Sequence, residues 1–128
     1  MKIALVLTVL LPLSARAQSG FDVFVPISKY FAQGDADKLS SWFADNLEIT
    51  IISRTSDSSR SQARQMVKSF FENYSPRSFE INHTASNGNT KYALGALNAG
   101  GQTFLVTIFV SLDEDTYKIQ QLKIDAIR

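Results

Sequence analysis

The chain offers few side chains that could do chemistry. It contains one histidine, His83, and no cysteine, so it has a single candidate for a general acid or base near neutral pH and no thiol nucleophile or thiolate metal ligand. His83 falls in a predicted strand over residues 79–84, on the same face as Phe79 and Ile81. From that face it could point into a pocket or toward the helices. A histidine that bonds to backbone or water is the commoner explanation of such a residue.

Acidic residues cluster at two places where a cation could bind. Asp35 and Asp37 lie close together, and residues 113–115 have the sequence Asp-Glu-Asp. Neither place has the twelve-residue ligand pattern with a central glycine that a calcium loop needs. A zinc site would depend on carboxylates because the chain has one histidine and no cysteine. We therefore interpret the first pair as helix capping and the second cluster as a hairpin turn, and we expect no metal and no cofactor.

A basic row is predicted on the third helix. Arg60, Arg64 and Lys68 recur every four residues, and such a row could bind an anionic ligand or partner. Glu72 follows Lys68 by four residues and is placed to pair with it. The pairing favours a solvated outer face over a binding site.

The first residues have the pattern of a secretory signal peptide. Lys2 is followed by an apolar run over residues 3–13 and by the small-residue end Ala15-Arg16-Ala17. The run is too short to span a membrane, so we predict cleavage after Ala17 and a periplasmic or secreted protein. Without a cysteine the chain is not expected to be a lipoprotein. Cleavage leaves eleven basic and twelve acidic residues, which gives no electrostatic basis for binding nucleic acid or anionic lipid.

The N-terminal half predicts two short helices and a strand. Asp22 can cap the first helix, which ends at Gly34, and Asp35 can cap the second. The second helix would bury Ala36, Leu39, Trp42 and Phe43. Residues 44–46 then form a break before the strand "LEITII", and "SRTSDSSRS" is either a loop or a short hairpin arm.

The second half predicts a third helix and four strands. The clearest helical stripe in the chain is Ala63, Met66, Val67, Phe70, Phe71 and Tyr74. Turn sequences at 87–89, 100–101 and 113–116 then separate four strands, of which "QTFLVTIFVSL" is apolar enough to be central. We predict an α+β fold with three N-terminal helices packed on a curved, mixed or antiparallel sheet of five to six strands. Such a cone would enclose an apolar pocket.

The span around Gly34 resembles a known superfamily. Gly34-Asp35 followed by Leu39, and then residues 43–46 (Phe-Ala-Asp-Asn) leading into a strand, are similar to the start of the nuclear-transport-factor-2-like superfamily. This superfamily has the cystatin-like cone fold and includes ketosteroid isomerase and scytalone dehydratase. "PISKYFAQGDADKLSSWFADNLEITI" further resembles a family of small secreted domains of unknown function from the Bacteroidota. The resemblance implies one domain over residues 18–128, and it implies fold more strongly than function.

The resemblance argues against isomerase chemistry. Alignment on the shared Gly-Asp and Phe-Ala-Asp motifs places Ile51 where a ketosteroid isomerase has its general-base aspartate. It places Ile27 where the isomerase has its oxyanion-hole tyrosine. Neither isoleucine can move a proton. A lyase or isomerase that uses Tyr30, Asp45 or His83 stays as the alternative.

The leading hypothesis is a non-enzymatic binding domain. The aromatic content suits a pocket for a small apolar ligand or for a protein or peptide partner. A dimerisation module that pairs through the sheet face is a further alternative, and the inward and outward faces of the last strands stay open because a one-residue slip exchanges them. The candidate pocket residues are Tyr30, Trp42, Ile51, Phe70, Tyr74, His83 and Phe109.

Overall fold

The computed structural model describes residues 22–127. The predicted signal peptide, residues 1–17, lies outside this part of the chain. The described residues form three helices, α1 (Phe24–Gln33), α2 (Ala36–Ser40) and α3 (Arg60–Asn73). They also form six strands, β1 (Phe43–Ile51), β2 (Arg54–Ser59), β3 (Pro76–Asn87), β4 (Thr90–Ala99), β5 (Gln102–Asp113) and β6 (Thr116–Ala126).

The six strands form one mixed sheet in the order β2-β1-β6-β5-β4-β3. β1 and β6 run parallel, and the other neighbours run antiparallel. The α+β prediction of three helices on a mixed sheet of five to six strands is therefore confirmed. The apolar strand β5 lies between β6 and β4, as its composition predicts.

The corner between the first two helices is built as the sequence predicts. At the start of α1, the N-cap position is occupied by Val23, and Asp22 lies one residue before it. The Asp22 carboxylate still accepts the backbone N–H of Phe24 at 2.9 Å. Gly34 ends α1 with a φ of 69°, a conformation that costs glycine little. Asp35 then caps α2 by accepting the backbone N–H of Lys38 at 3.0 Å.

The prediction for the end of α2 was wrong. The helix stops at Ser40, and Phe43 is the first residue of β1. The backbone N–H of Ile119 in β6 donates to the Trp42 carbonyl at 2.6 Å. Because of this pairing with β6, the chain joins the sheet here, although its apolar residues continue the helical spacing. Residues 44–46, predicted as a break, are part of β1. Pairing with β6 is irregular between Phe43 and Glu48, as in a β-bulge.

The serine-rich segment after β1 is a hairpin arm. β2 pairs with β1 in an unbroken register from Asn46 with Ser59 to Ile51 with Arg54. Two residues, Ile52 and Ser53, therefore make the whole turn.

α3 has the predicted apolar stripe and a complete capping box. The Ser59 hydroxyl accepts the backbone N–H of Gln62 at 3.2 Å, and the Gln62 side chain accepts the backbone N–H of Ser59 at 3.2 Å. Four stripe residues are buried, and Met66 and Tyr74 are partly buried against the core.

The space between the helices and the sheet is filled by the protein's own side chains. Its largest fully buried members are Phe31, Phe43, Phe104, Ile27, Leu39, Ile49, Leu97, Ile108, Ile119, Leu122, Ile124 and Val23. The apolar interior that the sequence predicts as a pocket is thus largely a packed core.

The face assigned to His83 was wrong. β3 shifts register against β4 between Ile81 and His83, and the extra residue exchanges the two faces beyond it. Phe79 packs against the core, whereas the His83 ring contacts Tyr92 with centroids 5.8 Å apart. His83 is exposed on the sheet face opposite the helices.

Candidate functional site

An apolar groove opens between α3 and the β1–β2 turn. It has a volume of about 490 Å³, within the range of small-ligand sites. We call this site the apolar groove, and its lining residues are Ile51, Ile52, Arg54, Met66, Ser69, Phe70, Asn73 and Tyr74. The structure therefore brings together three of the seven residues predicted for a pocket, namely Ile51, Phe70 and Tyr74.

Aromatic contacts fix the floor of the apolar groove. Phe70 and Tyr74 are one helical turn apart, with ring centroids 5.1 Å apart. Phe104 of β5 lies beneath both and contacts each ring edge-on, at centroid distances of 5.0 and 5.1 Å. Because Phe104 is fully buried, the two rings rest on a rigid support and the groove is largely preformed.

The rim of the apolar groove is a strained turn. Ile52 and Ser53 have φ values of 47° and 70°, where a two-residue hairpin turn ordinarily has Asn-Gly. A β-branched residue in this region is an outlier that costs about 1–3 kcal/mol. The Ile52 N–H donates to the Ile124 carbonyl at 2.8 Å, and this bond to β6 helps to hold the conformation.

The strain keeps an apolar side chain at the mouth of the groove. Ile52 is 38 % exposed, although large apolar residues are usually buried. Backbone strain of this kind concentrates at functional sites. The turn is therefore the second feature, after the lining itself, that makes this groove the candidate site.

Replacing the turn by its preferred sequence is expected to stabilise the fold. The double change Ile52→Asn and Ser53→Gly should raise the free energy of unfolding by about 1 kcal/mol, because relief of strain exceeds the loss of partial burial of Ile52. Urea denaturation measures the difference. A decrease of about 1 kcal/mol would mean that the isoleucine contributes more by packing than it costs in strain.

A second groove continues from the first along β2. We call it the polar groove. It has a volume of about 530 Å³ and shares Met66 with the apolar groove. Its lining consists of five hydroxyl or amide side chains, one carboxylate and one thioether: Ser56, Asp57, Ser58, Ser61, Gln62, Gln65 and Met66.

The other four predicted pocket residues lie away from the apolar groove. Tyr30 on α1 and Trp42 before β1 are partly buried and pack against the core. Phe109 stacks on Tyr92 with ring centroids 5.4 Å apart. Both rings line a shallow depression of about 290 Å³ beside the β3–β4 turn, close to His83 on the face opposite the helices.

The residues named for the alternative enzyme are spread over the fold. Asp45 on β1 forms an ion pair with Arg60 at 2.7 Å, whereas His83 lies on β3. Three strands separate β1 from β3, which corresponds to about 19 Å at the usual strand spacing. Tyr30 lies in the helical layer and His83 on the opposite face of the sheet. Ile27, which the superfamily resemblance aligns with the isomerase tyrosine, is fully buried.

The basic row of α3 is used in part for surface ion pairs. Besides the pair between Arg60 and Asp45, Arg64 binds Asp37 at 3.2 Å. These two are the ion pairs found among residues 22–127, so the predicted pair between Lys68 and Glu72 is not formed. Lys68 and Glu72 instead line a shallow groove at the corner between α1 and α2.

No group of three or more acidic or histidine side chains within the described part of the chain could hold a metal ion. The acidic residues at 113–115 belong to the β5–β6 hairpin, in which Asp113 pairs with Thr116. Across residues 22–127, no helix has the length and apolar character that a membrane span requires.

Sequence reasoning missed Ile52, Arg54 and Met66 as groove residues. Met66 was assigned to the buried stripe of α3, and Ile52 to the end of a strand. Only the pairing of Ile51 with Arg54 shows that Ile52 begins a turn. The available signal for Ile52 was its place as an apolar residue directly before the serine-rich arm.

The fold is shared with several solved structures. A DUF4783 family protein from Bacteroides uniformis has a TM-score of 0.80 at 22% identity, over 84% of this chain and 99% of that one. A DUF4783 family protein from Bacteroides ovatus has a TM-score of 0.78 at 22% identity, over 81% and 94% of the two chains. A nuclear-transport-factor-2-like protein of unknown function from Cytophaga hutchinsonii has a TM-score of 0.61 at 9% identity, over 83% and 88%. No curated protein matches the chain.

These likenesses define a domain with the nuclear-transport-factor-2-like, cystatin-like fold, as the resemblance around Gly34 predicts. The family follows from a match of residues 24–125 to the model of the domain of unknown function DUF4783. The chain belongs to the DUF4783 family.

Proposed function

We propose that this protein is a non-enzymatic binding domain whose apolar groove takes an apolar group of a small ligand or of a peptide partner. The single observation that supports this most strongly is the strained Ile52-Ser53 turn, which holds an exposed isoleucine over a groove floored by Phe70 and Tyr74. Strain is retained where it serves function, because an unstrained turn sequence would otherwise be more stable.

The open shape of the groove favours binding over catalysis. A catalytic site of the isomerase kind excludes water around a proton-transferring group. Ile51, which the superfamily resemblance aligns with the isomerase general base, is aliphatic. The groove is lined by apolar side chains, three amide or hydroxyl groups and one guanidinium. Such a lining can orient a ligand but offers no group suited to moving a proton at neutral pH.

We also propose that the domain acts outside the cytoplasm. The basic, apolar and small-residue pattern of residues 1–17 supports export and cleavage after Ala17.

A charge placed in the groove is expected to abolish binding. Met66→Lys would put an ammonium group among the apolar lining residues, and its desolvation opposes entry of an apolar group. The probe is N-acetyl-L-phenylalaninamide, an uncharged aromatic side chain, and saturation-transfer difference NMR measures its affinity. We expect millimolar binding to the unmodified protein and at least a tenfold loss in Met66→Lys.

The matched control is Val25→Lys, which adds the same charge on α1 at a side chain that is already 65 % exposed. It should bind the probe as the unmodified protein does. Equal affinity for the probe in all three proteins, or none in any, would contradict the proposal.

A further inference from the structure

The edge of the sheet beside the apolar groove is open for pairing. β2 is the first strand in the sheet order, and its register with β1 is unbroken. The other edge strand, β3, has register shifts at two places and is packed by α1. Bulges and coverings of that kind protect an edge from pairing with another chain. β2 also contacts α3 and carries two charged residues, Arg54 and Asp57, but it lacks a bulge, a proline and a lysine. It is therefore the less protected edge.

The hydrogen bonds of the turn show which backbone groups of β2 are free. The Ile52 N–H points to β6, where it donates to the Ile124 carbonyl. Backbone direction alternates along a strand, so Ile51 points to β2 and exchanges hydrogen bonds with Arg54. By the same alternation, Thr55 and Asp57 direct their N–H and C=O groups away from β1. Within residues 22–127, no other residue bonds to these outward groups.

A free cation lies where this edge meets the apolar groove. Arg54 lines the groove at the turn end of β2. The ion pairs of the described residues involve Arg60 and Arg64, and Arg54 takes part in neither. An occupant with an anionic group beside an apolar side chain would complement both the charge and the lining at this position.

We propose, building on the binding role proposed above, that the site recognises the C-terminus of an extended peptide that ends in an apolar residue. The peptide adds to the sheet as a strand antiparallel to β2, with backbone bonds to Thr55 and Asp57. Its last side chain enters the apolar groove, and its terminal carboxylate meets Arg54.

The end of the edge favours a chain terminus over an internal segment. On the N-terminal side of Arg54, the chain turns away from the edge through Ser53 and Ile52. The Ser53 N–H donates to the Asp125 carboxylate at 3.4 Å. A peptide antiparallel to β2 therefore has no backbone partner past Arg54 and can stop there. In the other direction, the polar groove continues along β2, whose six residues span about 20 Å. It offers hydroxyl and amide side chains and the Asp57 carboxylate to the rest of the peptide.

Two forms of one pentapeptide test the proposal. The probe is N-acetyl-Ala-Thr-Val-Thr-Phe with a free C-terminus, compared with its C-terminal amide by NMR titration of the full protein. We expect the free acid to bind at least tenfold more tightly than the amide. Arg54→Gln should reduce the affinity of the acid to that of the amide. Arg77→Gln, which removes an exposed guanidinium from β3, should leave the affinities of both the acid and the amide unchanged.

A second pair of variants tests the backbone pairing. Asp57→Pro removes an outward N–H without removing a bond to β1, and edge strands tolerate such a proline. Asp57→Ala removes the same carboxylate but keeps the N–H. We expect Asp57→Pro to weaken both peptides at least fivefold relative to Asp57→Ala.

The outcomes separate this inference from the proposed function. Equal affinity of the acid and the amide, or no binding of either peptide up to about 5 mM, overturns the inference. In either case the proposed function still stands if N-acetyl-L-phenylalaninamide binds in the groove. Failure of that uncharged probe as well overturns both. A dimer that dissociates in Asp57→Pro and not in Asp57→Ala would assign the edge to a second copy of this chain and would also overturn the inference.

Discussion

Replacing Gly95 by alanine is expected to lower the free energy of unfolding by about 2–3 kcal/mol, because the new methyl group has no room. A Cβ at this position would lie 2.6 Å from Cζ of Phe79 and 2.9 Å from the Glu80 carbonyl oxygen. The Phe79 ring cannot retreat easily, since it stacks on the fully buried Phe31 with centroids 4.9 Å apart. Urea denaturation of the two proteins measures the loss.

A double mutant identifies the cause of that loss. Phe79→Leu removes the ring from the clash but leaves the Glu80 carbonyl in place. The combined variant Gly95→Ala with Phe79→Leu should therefore be less destabilised than the sum of the two single changes, by about 1 kcal/mol. A loss below about 0.5 kcal/mol in Gly95→Ala alone would show that the two strands separate at little cost.

Replacing Phe104 by alanine is expected to cost about 3–5 kcal/mol and to weaken binding in the apolar groove. Phe104 is fully buried and supports both aromatic residues of the groove floor. Its removal leaves a cavity into which Phe70 and Tyr74 can tilt, so the preformed lining is lost together with stability. Thermal or urea unfolding gives the first effect, and titration with N-acetyl-L-phenylalaninamide gives the second.

Phe104→Leu is the matched control because it keeps most of the apolar volume. It should cost about 1–2 kcal/mol and retain most of the affinity for the probe. If Phe104→Ala bound the probe as tightly as the unmodified protein, the groove floor would not depend on its support from β5.

Much of the fold follows from local signals in the sequence. The Gly34-Asp35 corner uses capping and left-handed glycine geometry, which are local properties of the residues. The long periodic stripe of α3 likewise fixes the face that it buries. These elements were predicted because a few neighbouring residues are enough to determine them.

The errors arose where a partner strand decides the structure. Phe43 continues the helical pattern of α2, but pairing with β6 draws it into β1. The two faces of β3 exchange at one extra residue before His83, and nothing in the local sequence marks that bulge. Sheet register depends on contacts far apart in the chain, so period-2 reasoning cannot place a bulge.

The candidate site was predicted only in part, again because partner strands determine part of its structure. Phe70 and Tyr74 follow from the stripe of α3, and Ile51 from alignment within the superfamily. Ile52 was missed because Ile-Ser is a poor turn sequence, and it adopts its conformation only because β1, β2 and β6 hold it. A position where local preference is overridden is a position where function is expected.

A protein-observed NMR titration with N-acetyl-L-phenylalaninamide tests binding in the apolar groove most directly. Amide shift changes should concentrate at Ile52, Arg54, Met66, Phe70 and Tyr74, and they should disappear in Met66→Lys. Shift changes centred on Tyr92 and Phe109 would instead place binding on the opposite face of the sheet. Either that result or no change at saturating probe would contradict a binding role for this groove.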